Sequence, residues 1–145
     1  MLTQAEADAL MAMVKRLVNK ATIQFPLLGD MLQLDVISDD GRESFIIDIN
    51  RKGKVKATKC TYQERYRVIE ILVRLDVDGP PHDNPDGTTI PCPHLHIYRE
   101  GFADKWAIPV PPKQFADTAD LVKTLREFLD YCNLREVPAI QRGVS

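Results

Sequence analysis

A chain of 145 residues, 44% apolar and 28% charged, is long enough for one domain, residues 1–145, with a substantial core. The net charge of −2 excludes a wholly basic nucleic-acid-binding protein, although it would hide a local basic patch. No apolar run approaches the roughly 20 residues that cross a membrane.

Cys60, Cys92 and Cys132 are far apart and odd in number, which fits reduced thiols in a cytoplasmic protein. There is no CxxC pair of the kind a zinc ribbon needs. Met1 to Val14 carries Glu6 and Asp8 without a basic stretch, so it does not read as a secretory signal.

Thr3 to about Ala21 reads as a helix. Thr3 and Glu6 have capping-box spacing, and Leu10, Val14, Leu17 and Val18 recur on one face. Pro26 and Gly29 mark its exit. Leu32, Leu34 and Val36 then alternate with polar residues as in a strand. Asp39-Asp40-Gly41 is a turn signal, and Phe45, Ile47 and Ile49 form the returning strand. A short strand is expected near Val55 to Cys60, and a strong one from Arg67 to Val77 with Ile69, Ile71, Val73, Leu75 and Val77 inward.

Asp78 to Pro93 is a loop stiffened by five prolines. Strands near His94–Arg99 and Lys105–Val110 follow. A last helix, Thr118 to Cys132, has Asp117 as N-cap and Leu121, Leu125, Phe128, Leu129 and Cys132 on one face. The tail after Asn133 reads as irregular. The expected fold is α+β: an antiparallel, curved sheet or partial barrel of five to six strands, flanked by an N-terminal and a C-terminal helix.

All three histidines, His82, His94 and His96, lie between residues 82 and 96. Imidazole suits both proton transfer near neutrality and binding of borderline metals. Alternation puts His94, His96 and Tyr98 on one strand face. Arg74 and Asp76 share a face of the strand before. If the two strands pair, these residues converge, and His82 can fold over them from the proline loop. Such a surface offers general bases, a charge partner and an anion-binding guanidinium. Polar residues on a solvated strand face would have the same pattern.

Two histidines at i and i+2 near a carboxylate also suit zinc, iron or manganese, with His82, His94 and His96 as the ligands. From 51 to 67 the cations Arg51, Lys52, Lys54, Lys56, Lys59, Arg65 and Arg67 face only Glu64, with Tyr62 and Tyr66 interleaved. Cations contact phosphates and tyrosines stack on unpaired bases; a turn that is basic only for solubility is the plainer alternative. Phe102 and Trp106 are a candidate anchor pair for a protein partner, although alternation with Lys105 points Trp106 into the core. Cys92 beside His94 lacks an identifiable third member for a nucleophilic triad. Asp83-Asn84-Pro85-Asp86-Gly87 is read as a capped turn rather than a calcium loop.

The series Arg74-Leu75-Asp76, His82, Asn84-Pro85-Asp86-Gly87, His94-Leu95-His96-Ile97-Tyr98, Glu100-Gly101 and Lys105-Trp106-Ala107 resembles a small prokaryotic family of unknown function, seen in bacteria and phages. The resemblance spans about Lys59 to Val110 and extends to Tyr131-Cys132-Asn133. It implies no activity. What it implies is a setting, in the cytoplasm and in mobile elements, where toxin-like nucleases and inhibitors of host defence occur.

The leading expectation is a nucleic-acid-directed protein, in its sharpest form a metal-independent endoribonuclease of toxin–antitoxin type. His82, His94 and His96 would be acid and base, Asp76 an orienting group and Tyr98 a hydrogen-bond donor or stacking surface. Arg74, Lys59, Arg65 and Arg67 would hold phosphate. No cofactor is implied. The partners would be RNA or an antitoxin. One alternative is a non-enzymatic phage or mobile-element protein that binds a host defence component; another is a metal-dependent enzyme.

Overall fold

The computed structural model describes residues 1–53 and 56–142. Helix α1 spans Gln4–Ala12 and carries the expected capping box: Thr3 Oγ1 accepts from the Glu6 amide and Glu6 accepts from the Thr3 amide. It stops far short of Ala21, because Lys15–Leu17 forms an edge strand, β1. Lys15 and Leu17 both point inward, and a sheet ladder outweighs the helical recurrence of Leu10, Val14, Leu17 and Val18. Val18, expected on the buried stripe, is 59% exposed.

Next come β2 (Ile23–Gln24), β3 (Met31–Ser38) and β4 (Ser44–Asn50). The last two join at Asp39-Asp40-Gly41, where Gly41 takes a φ of +76° that favours glycine. The strand expected near Val55–Cys60 falls partly outside the described residues. Residues 56–58 are bend and turn, and β5 runs instead over Cys60–Tyr66. Strand β6 is Glu70–Val77, starting at Glu70 rather than Arg67. Arg67 and Val68 have φ of 53° and 85° and make the turn, leaving Ile69 80% exposed rather than inward.

The proline loop contains a small hairpin, β7 (His82–Asp83) with β8 (Thr89–Ile90). Strands β9 (His94–Ile97) and β10 (Ala107–Pro109) complete the main sheet. Helix α2 covers Leu121–Tyr131, capped by Asp120 rather than Asp117. The tail holds a further strand, β11 (Ile140–Gln141), parallel to β2.

The main sheet has seven strands in the order β1-β3-β4-β5-β6-β9-β10. All its pairings are antiparallel, so the fold is α+β with an open sheet, one strand beyond the expected range and not closed into a barrel. One face is apolar and receives both helices. Tyr62 stacks on Phe128 and donates its hydroxyl to the Leu121 carbonyl at 2.7 Å, while Ala7 and Leu10 of α1 join the same core.

Within this core lies a fully buried ion pair, Lys15 to Glu64 at 3.4 Å. The Lys15 ammonium spends its hydrogen bonds on the carbonyls of Met11 and Cys132 and sits over the Phe45 ring. Both Glu64 oxygens are left without a hydrogen bond. Burial therefore dominates and pushes the Glu64 carboxyl up to about 7, although Lys15 pulls the other way.

The opposite face is polar and built in cross-strand rows. Asp48, Gln63, Arg74 and His96 stand opposite one another in one row; Asn50, Thr61, Asp76 and His94 form the next.

Candidate functional site

Strands β6 and β9 are neighbours, with Arg74 opposite His96 and Asp76 opposite His94. Strand alternation then aims all four side chains at the same face. Asp76 Oδ2 lies 3.1 Å from Nε2 of His94 and 3.1 Å from Nε2 of His96. Arg74 ties the cluster together: Nε meets Asp76 Oδ1 at 3.1 Å, Nη1 meets Asp104 Oδ2 at 2.8 Å and Nη2 meets His96 Nε2 at 3.0 Å. Burial pushes the Asp76 carboxyl up, but contact with His96 and the Arg74 charge outweigh it and hold the group at about 2.

Three further imidazole nitrogens are also engaged. His96 Nδ1 donates to the Asp104 carbonyl at 2.8 Å, and His82 Nε2 donates to the Lys105 carbonyl at 2.7 Å. The His82 ring lies edge-on to His96, with centroids 4.5 Å apart. His94 Nδ1 faces the Cys92 sulfur at 3.5 Å. Cys92, His94 and Asp76 thus stand in line, supplying the third member that the sequence did not identify. Burial, with Asp76 and Asp78 nearby, pushes the Cys92 thiol up, which keeps it a poor nucleophile.

Solvent reaches the members unequally. Side-chain exposure is 24% for Asp76, 3% for His94 and 0% for His96. A cavity of about 390 Å³ opens on Asp76 and Arg74 and is also lined by Lys59, Gln63, Thr61 and Cys92. It continues over Asn50, Thr61 and Gln63 into a smaller hollow reaching Asp48 and Gln33. The result is a polar groove running across the sheet from β3 to β6.

Other expected site residues stand apart from this cluster. Tyr98 is buried beyond the end of β9 and gives its hydroxyl to the Leu2 carbonyl at 2.6 Å. Arg65 is neutralised by Asp48 at 2.7 Å, and Arg67 stacks on Tyr66 at the β5–β6 turn. Tyr62 and Tyr66 are buried on the core side of β5, so neither presents a face for base stacking. Lys59 does line the cavity. Trp106 is not a core residue: Arg99 covers its ring at 4.1 Å and Phe102 meets it edge-on.

The sequence carried no sign of Asp104, whose carboxylate holds Arg74 and whose carbonyl orients His96. Two contributions from one loop residue leave no periodic trace.

Asn84-Pro85-Asp86-Gly87 is a turn, as expected: the Gly87 amide donates to the Asn84 carbonyl, and Asp86 accepts from Thr88. Asn84 then docks the loop on the β10 edge. Its Nδ2 donates to the Ala107 carbonyl at 3.0 Å, and its Oδ1 accepts from the Ala107 amide at 2.8 Å. Asn84→Ala orphans both buried backbone groups and is expected to cost about 1–3 kcal/mol in urea unfolding. A loss within experimental error would show that the loop is held elsewhere.

Residues 2–134 match the model of a family of unknown function, DUF6978, and the chain belongs to that family. The match extends well beyond Lys59–Val110, from α1 through α2. No curated protein and no solved structure matches the chain. Among the described residues no helix is long and apolar enough to cross a membrane.

Proposed function

We propose that the protein receives a single-stranded nucleic acid, RNA in the first instance, in the groove across the polar sheet face and cleaves it at the Asp76, His94 and His96 cluster. The observation that carries this reading is one cavity lined at once by two cations, Lys59 and Arg74, and by a carboxylate backed by two imidazoles. Lys59 anchors phosphate. Arg74 fixes Asp76 and lends positive charge to the site. Asp76, ionised at neutral pH, takes the proton of an attacking hydroxyl, while His94 holds the carboxylate from behind through its Nε2 hydrogen. His82, the least buried imidazole, remains for the leaving group.

With the tyrosines turned into the core, affinity comes from phosphate contacts and falls with salt. Lys59→Ala is expected to weaken binding of oligonucleotides alike whatever their sequence and to lower the salt slope by about 1. Fluorescence anisotropy at several salt concentrations measures both. An unchanged slope would place the strand elsewhere.

Shielding of His94 and His96 favours a second reading, in which the network only braces a surface that binds a protein. In the bacterial and phage setting that the sequence resemblance implies, that partner is an antitoxin or a host defence component. Folded Asp76→Asn protein with full biological effect would support it.

A further inference from the structure

Oδ2 of Asp76 and one ring nitrogen each of His94 and His96 are mutually within 4.8 Å, with both Nε2 atoms 3.1 Å from the carboxylate oxygen. Ligand atoms around a tetrahedral metal with bonds of about 2.0–2.1 Å stand roughly 3.3 Å apart, so the spacing fits a shared ion.

The hydrogen bonds alone leave a conflict. His96 Nδ1 faces the Asp104 carbonyl, which can only accept, so Nδ1 carries a proton. Nε2 then meets an Arg74 donor at 3.0 Å and the Asp76 acceptor at 3.1 Å. A lone pair satisfies the first contact and a proton the second; one nitrogen cannot present both. A cation between Nε2 and Oδ2 satisfies both ligand atoms. Orientation of Nδ1 by a backbone carbonyl is also how metal-binding imidazoles are held.

We infer that Asp76, His94 and His96 form a site for one first-row divalent transition metal, with zinc, iron and manganese suited to two imidazoles and a carboxylate. Asp76 replaces His82 in the ligand set expected from the sequence, because His82 Nε2 is given to the Lys105 carbonyl. Arg74 gives up its contact with His96 and stays on Asp104, 2.8 Å away. The two buried imidazoles make the rigid side of the site, and Asp76 opens it to the groove.

The inference shares its residues with the proposed nuclease, but its test needs no RNA. The chelator-treated full chain is titrated with cobalt(II), read by its visible ligand-field absorption, and bound metal is counted by mass spectrometry. One ion per chain is expected, together with a rise in melting temperature on adding zinc. Asp76→Asn, at a half-buried position that leaves the core intact, is expected to weaken binding by more than the roughly 10–100-fold typical of an outer-shell partner. His94→Gln should do the same, with folding checked by circular dichroism. Cys92→Ser should keep the cobalt spectrum.

No saturable binding by the wild type overturns the inference. So does a spectrum lost in Cys92→Ser but kept in Asp76→Asn, which would mark adventitious thiol binding. Failure to bind metal leaves a metal-independent nuclease standing, and failure to cleave RNA leaves the metal site standing.

Discussion

Lys15→Met is expected to destabilise the protein by about 3–5 kcal/mol at pH 8, the usual cost of removing one partner of a buried ion pair. Lys15 and Glu64 are both shut off from water, and Glu64 has no hydrogen bond to fall back on. The variant also strips a donor from the carbonyls of Met11 and Cys132, where the ends of the two helices meet.

The loss depends on pH, and its direction follows from the Glu64 carboxyl. That group titrates near 7 in the folded protein against 4.5 ordinarily. Between these values the folded chain binds the proton and the unfolded chain does not, so stability falls as pH rises. The contribution is complete below about 4.5 and gone above about 7, a span on the order of 3 kcal/mol.

Without Lys15 the carboxylate is harder still to ionise. The variant should therefore lie much closer to wild type at pH 5 than at pH 8. Urea unfolding at the two pH values, with Lys15→Met/Glu64→Leu as the double variant, separates lost charge from lost packing. The double variant should recover most of the stability, because a pair of apolar residues leaves nothing ionised in the core. Equal losses at both pH values would show that Glu64 is not what Lys15 serves.

Asp76→Asn is expected to lower RNA cleavage by about 10²–10⁴-fold while the chain stays folded, because it removes the proton acceptor and keeps its shape. Arg74 retains its bond to Asp104, so the cluster keeps its frame. His94→Ala should lose as much activity, but it empties a buried position and also costs stability. The asparagine variant is therefore the cleaner measurement. With its carboxyl held at about 2, Asp76 is ionised throughout the neutral range, so an inflection in the wild-type rate near neutrality belongs to another group. Gel assays of single-stranded RNA, with and without chelator, read the effect. Undiminished cleavage by Asp76→Asn would remove the cluster from the reaction.

Several parts of this protein follow from sequence alone, since each rests on local physics. Period-two alternation identified β3, β4 and much of β6, because a half-buried strand must alternate. Apolar spacing found α2, and turn chemistry found Asp39-Asp40-Gly41 and Asn84-Pro85-Asp86-Gly87. Collection of every histidine between His82 and His96 marked the cluster.

Tertiary structure decided the rest, through partners remote in sequence. Lys15–Leu17 is a strand because β3 offers it a ladder, against its helical spacing. Strand β5 was obscured because Glu64 sits on its core face, where only Lys15, far away in the chain, makes a carboxyl tolerable. The run of cations read as a basic patch is divided by sheet pleat and ion pairing: Asp48 takes Arg65, Tyr66 takes Arg67 and the cavity receives Lys59. Asp104 holds Arg74 through a loop with no periodicity to read. The pairing of β6 with β9, which brings Asp76 between the two imidazoles, depends on a proline loop closing two strands far apart along the chain, and no local pattern encodes that register.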